Sequence, residues 1–143
     1  MTKQSQLGIL IIGLGSIITF IGLFPTITGF EPTPGIGILQ ILTILSGFSV
    51  LTAGALWFVQ SAFYSGIKHN LAQQISIRLS MTGLVIAIAA GLADVLGYGS
   101  NPPGPDQRPI LGPLQTAGLL GGFVVASIGV ILFAILGDES TQG

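Results

Sequence analysis

Asp94 closes a long apolar run, from about Ile75 to Leu96. An ionised carboxylate is costly at membrane depth, so an acid in such a run marks either an interface or a proton or ion route. Asp94 stands two residues before Leu96, about 3 Å along a helix. That spacing favours an interfacial carboxylate, hydrated or paired with Arg108. Gln40 and Gln115 each lie about one turn into an apolar run. Such amides hydrogen-bond between helices; the alternative is a symmetric polar site for a ligand head group, such as a quinone or lipid. Glu31 and Asp106 are followed three residues later by Pro34 and Pro109. An acid ahead of a helix with proline in its first turn satisfies free N–H groups and suits the positive helix end. Capping is therefore expected rather than a paired-carboxylate catalyst or a cation site. His69, the single histidine, is expected on the opposite side, so no base completes those acids.

The elements that hold these residues follow from composition. The 143 residues include four Lys or Arg, five Asp or Glu and no Cys. Charged residues are 6% and hydrophobic residues 50% of the chain, and the mean hydropathy is +0.87. A soluble domain of this size needs far more ionisable surface, and a disordered chain is poor in apolar residues. The expected solvent is lipid. Without cysteine there are no disulfides, thiolate metal sites or Cys nucleophiles, and one histidine excludes a bis-His haem within one chain. A net charge of −1 offers no basic face to nucleic acid. Gly13-x-Gly15 lies inside an apolar run with no preceding strand, so it is not a nucleotide fingerprint.

Crossing about 30 Å of hydrocarbon takes about 20 apolar residues. Four stretches qualify: Leu7 to about Phe24, Ile36 to Phe63, Ile75 to Leu96, and Leu111 to Leu136. They are apolar all round, unlike the alternating strands of a membrane barrel. The first is read as a retained helix, because no A-x-A-like cleavage site follows it. Ser76–Leu79 and the residues just before them could instead form an interfacial helical turn leading into the third span. Four spans place both termini on one side with Lys3, Lys68 and Arg78, and only Arg108 opposite. The positive-inside rule then makes both termini cytoplasmic and puts the Pro-rich loops 25–35 and 97–110 on the other side. Lys68, His69 and Arg78 are expected at phospholipid head groups, and Trp57, Phe58, Phe63 and Tyr64 in an aromatic belt.

The sequence also resembles itself at an offset of 75. PGIGILQILTILSGFSVLTAG, from Pro34, aligns with PILGPLQTAGLLGGFVVASIG, from Pro109. Pro, Gln, Gly and Phe recur as Pro34/Pro109, Gln40/Gln115, Gly47/Gly122 and Phe48/Phe123. Upstream, Ser5/Ser80, Gly8/Gly83, Ile11/Ile86 and Gly22/Gly97 continue the register without a gap. Over Lys3–Gln60 the identities number 15 in 58 positions, against roughly five for random pairing in this composition. The expected fold is an all-α integral membrane protein: four transmembrane helices as two parallel, tandem-repeated hairpins in a pseudo-two-fold four-helix bundle. It is one membrane domain, 1–143, with repeat 1 over about 3–62, repeat 2 over about 78–137 and a cytoplasmic loop over about 64–77.

In lipid, helices associate by close approach of small residues. Gly118, Gly122 and Ala126 form one such stripe, and Gly83, Ala87 and Gly91 another. Ser46, Val50 and Gly54 form a weaker one, and Gly47 also recurs in the repeat. No constellation for catalysis, metal or cofactor is evident. The expected role is a non-enzymatic accessory subunit or self-associating scaffold, whose partners are the bilayer and other membrane subunits or further copies of itself. The alternative is a small channel or carrier using Asp94, Gln40 and Gln115.

Overall fold

The computed structural model describes residues 1–29, 36–98 and 111–137. Its order is α1 (Lys3–Leu23), a 3-10 turn (Pro25–Thr28), α2 (Ile38–Phe63), α3 (Leu71–Gly91) and α4 (Pro113–Ile135). All four helices are long and apolar enough to cross a membrane. The shortest, at 21 residues, reaches about 31 Å at 1.5 Å per residue, enough for the hydrocarbon layer.

Local sequence explains the helix starts. Thr2 accepts the Ser5 backbone N–H at 3.2 Å on its side-chain oxygen, fixing the entry to α1. Asn70 and Gln73 make a reciprocal capping box: Gln73 N donates to Asn70 Oδ1 at 2.7 Å, and Asn70 N donates to Gln73 Oε1 at 3.3 Å. That box starts α3 at Leu71, four residues ahead of the expected Ile75, so Ser76–Leu79 belong to the span itself. α3 correspondingly ends at Gly91 and gives way to consecutive turns over 92–97. The hydropathy pattern missed this shift because the first turn, Leu71–Gln74, is half polar.

The chain packs as two antiparallel hairpins. α1 lies along α2, and α3 along α4; α2 then joins the hairpins by touching both α4 and α3. Ile41, Leu45, Ala87 and Leu119 form one core, toward the end of the protein that carries the α1–α2 and α3–α4 connections. Val59, Tyr64 and Phe133 form a second core at the end that carries the N-terminus and the α2–α3 connection. Between them the rings of Phe48 and Phe123 meet with centroids 4.0 Å apart.

Candidate functional site

Of the polar residues singled out from sequence, the described Asp94, Gln40 and Gln115 share no hydrogen bond with one another. Asp94 lies three residues beyond α3, half-buried among the turns; its Oδ1 is buried and has no hydrogen-bond partner among the described residues. Arg108, Glu31 and Asp106 lie outside the described residues, and with them the expected Asp94–Arg108 pair and the two acid caps. The N-caps of α2 and α4 are Gly37 and Gly112, and Pro113 takes the first-turn position in α4. Gln115 folds back on its own helix start, where its Oε1 accepts the Gly112 N–H at 2.8 Å. Gln40, at the corresponding position of α2, is half-buried. Among the described residues no three His, Asp or Glu side chains gather to hold a metal.

The hydroxyl groups of the spans are turned inward on their own helices. Thr19, Thr43, Ser49, Thr52, Ser61 and Ser76 each donate to the carbonyl four residues earlier, at 2.7–2.8 Å. Ser16, Thr82 and Ser127 do the same at 2.8 Å. Such back-bonding satisfies a hydroxyl in lipid without a partner helix. Ser80 is the exception, fully buried and donating across to the Ala126 carbonyl at 2.9 Å.

The small residues form the seams within each hairpin. A Cβ on Gly83 would fall 2.6 Å from the Gly122 carbonyl oxygen and 2.9 Å from Ala126 Cα, and one on Gly122 would fall 2.8 Å from Ala87 Cβ. These are shorter than any real Cβ contact, so the helices touch backbone to backbone. Gly118 faces Ala90, and Gly91 faces Ile41, Leu45 and Leu119. In the other hairpin Gly47 abuts Thr19, and Gly54 abuts Ile11 and Ile12. The contacting face of α2 is thus Gly47–Leu51–Gly54, while Ser46 is exposed. Sequence reasoning passed over the matching face of α1: Gly8, Gly15 and Gly22, at seven-residue spacing, are all buried against α2.

The richest polar environment is at the terminal end. Tyr64 is packed inward: it is 6% exposed, and its phenol donates to the Ala134 carbonyl at 2.6 Å. Asn70 Nδ2 donates to the Leu136 carbonyl at 2.7 Å. Both bonds satisfy carbonyls that the end of α4 leaves open. Gln60 Nε2 donates to the Tyr64 carbonyl at 3.0 Å, which turns Gln60 Oε1 toward His69 Nε2, 2.6 Å away. Beside this pair is a cavity of about 470 Å³, open on one side and walled by α2, α3, Phe133 of α4 and Gln4 of α1. The signal for it in the sequence was Gln60 and Ser61, adjacent polar residues at the end of an apolar span, followed by the only histidine.

The chain matches no known protein family, no curated protein and no solved structure.

Proposed function

We infer that the protein is a non-catalytic, multi-pass membrane subunit, an accessory or self-associating scaffold held together by small-residue helix faces. One observation carries the reading: apart from Ser80, which bonds across to Ala126, the hydroxyls of the spans bond to their own helices, and Gln115 bonds to its own helix start, so the described spans present no continuous polar path for an ion or substrate. Conduction needs such groups aimed at a shared route. The buried Oδ1 of Asp94, without a partner among the described residues, is the one observation that favours a channel or carrier instead. Reconstitution separates the two. The purified chain in liposomes is expected to leak protons and cations no faster than protein-free liposomes. A flux above that background, abolished by Asp94→Asn, would overturn the subunit reading.

The scaffold is further read as a duplicated hairpin with both termini cytoplasmic. Contacts that repeat between hairpins support the duplication. Gly47 and Leu51 meet Gly15 as Gly122 and Ala126 meet Gly83. Gly47 meets Thr19 as Gly122 meets Ala87, and Gly54 meets Ile12 as Gly129 meets Ser80. The α2 and α4 positions are 75 apart, but the α1 and α3 positions are 68 apart, as are the helix bounds Lys3–Leu23 and Leu71–Gly91. Gly29 and Gly97, both at φ +82°, also stand 68 apart. The proposed repeat therefore carries seven extra residues between the turn at Gly97 and the start of α4.

A further inference from the structure

The cavity at the terminal end has a polarity gradient and, among the described residues, no fixed charge. Its inner part is walled by Ala53, Leu56, Ile77 and Met81. Ala53 is ten residues from the end of α2, about 15 Å into the membrane at 1.5 Å per residue. Its mouth is lined by Gln4, Trp57, Gln60, Ser65 and His69. Among the described residues the one ionisable side chain lining it is His69; Lys3, Lys68 and Arg78 do not. A phosphate-headed lipid would find no cation there, so the walls suit a neutral head.

The hydrogen-bonding groups narrow the class. Gln60 and Ser61 are occupied within the protein. Because Gln60 Nε2 already faces the Tyr64 carbonyl, Gln60 Oε1 must accept from His69, which fixes the proton of a neutral ring on Nε2 and leaves Nδ1 as an acceptor. Trp57, Gln4 and Ser65 line the mouth, and their side chains carry an indole N–H, an amide and a hydroxyl, all hydrogen-bond donors. Three flat groups, Trp57, Phe133 and His69, share the walls, with His69 edge-on to Phe133 at 5.5 Å. Flat walls of this kind favour a planar ring, and the volume is in the range of small-molecule sites.

We propose that this cavity binds the ring head of a quinone-type lipid, with its oxygens at the donors of Trp57, Gln4 and Ser65 and its tail leaving past Ala53 into the bilayer. The site stands independently of the subunit reading and on the opposite end of the protein from Gln40 and Gln115. Trp57 is the only tryptophan, so its fluorescence reports occupancy directly. The experiment is a titration of the full chain, in mild detergent, with decylubiquinone. Saturable quenching is expected, weakened at least tenfold by Ala53→Leu, which fills the inner end from a lipid-exposed position. Ser65→Ala, outside any helix, is expected to weaken it about threefold, while Leu10→Ala on the far face of α1 leaves it unchanged. Quenching that rises linearly with quinone and is equal in all variants would overturn the proposal. So would equal displacement of the quinone by 1-decanol or by phosphatidylglycerol, since neither carries the ring. Should Ala53→Leu fail to fold, a titration of Ser65→Ala indistinguishable from the unaltered chain would overturn it.

Discussion

Phe48 and Phe123, 75 residues apart in the sequence, lie against each other with ring centroids 4.0 Å apart and planes tilted by 31°. A two-fold axis brings a residue onto its own counterpart, as in a symmetric dimer interface. The contact therefore lies where the proposed duplication would place its axis, between α2 and α4. In lipid this contact gains no hydrophobic energy and rests on packing. A double-mutant cycle of Phe48→Ala and Phe123→Ala should give a coupling of about 0.5–1.5 kcal/mol, the range for aromatic pairs, read from unfolding in detergent. Strictly additive losses would show that the rings do not hold the hairpins together.

The seams within each hairpin should be far less tolerant than the exposed glycines on the outer faces. Gly83→Leu and Gly122→Leu push side chains into backbone and should cost about 1–3 kcal/mol or separate α3 from α4. Gly13 and Gly121 have nothing within 4 Å of an added Cβ, so Gly13→Leu and Gly121→Leu should leave stability unchanged or slightly raised. Melting temperatures of the four variants in one detergent check this ordering.

How much of this was legible beforehand depended on the kind of signal. Four long, apolar helices followed from apolar length alone, and α1, α2 and α4 begin and end within a few residues of the expected places. The placement of α3 did not follow, because its start is set by the Asn70–Gln73 capping box rather than by hydropathy. The repeat register upstream of Pro34 was ambiguous for a geometric reason. Seven residues are close to two helical turns, so sliding α1 by seven keeps the same face inward. Gly83 thus aligns with Gly8 at one offset and with Gly15 at the other. Over Lys3–Leu23 both offsets give four identities, and the contacts of Gly15 with Gly47 and of Gly83 with Gly122 favour 68. The cavity was not legible, since it gathers residues from all four helices that share no spacing. The partner of Tyr64 was not legible for a similar reason: the Ala134 carbonyl is 70 residues away.

Tyr64 and Asn70 fasten the α2–α3 connection to the end of α4. Tyr64→Phe leaves the Ala134 carbonyl without its phenol and should cost about 1 kcal/mol. Asn70→Ala removes the N-cap of α3 together with the bond to Leu136, and should cost about 1–2 kcal/mol. Gly137 adjoins the Tyr64 ring so closely that Gly137→Ala would collide with it, and that variant should lose at least as much. Thermal unfolding of the three, with protease sensitivity of the 64–70 segment, is the check.

Orientation has a direct test, because the native chain has no cysteine. Cysteine substituted at Ser65 should react with a membrane-impermeant maleimide from the cytoplasmic side, and cysteine at Thr26 from the opposite side. The reverse pattern would invert the proposed topology while leaving the four-helix fold intact.

The subunit reading is tested most directly by the size of the protein extracted from its native membrane in mild detergent. One chain is 14.7 kDa. The reading predicts a discrete assembly of larger protein mass, either several copies of this chain or this chain with other membrane subunits, which survives dilution. A monodisperse single chain with no accompanying protein, extracted under conditions that preserve other membrane complexes, would contradict it.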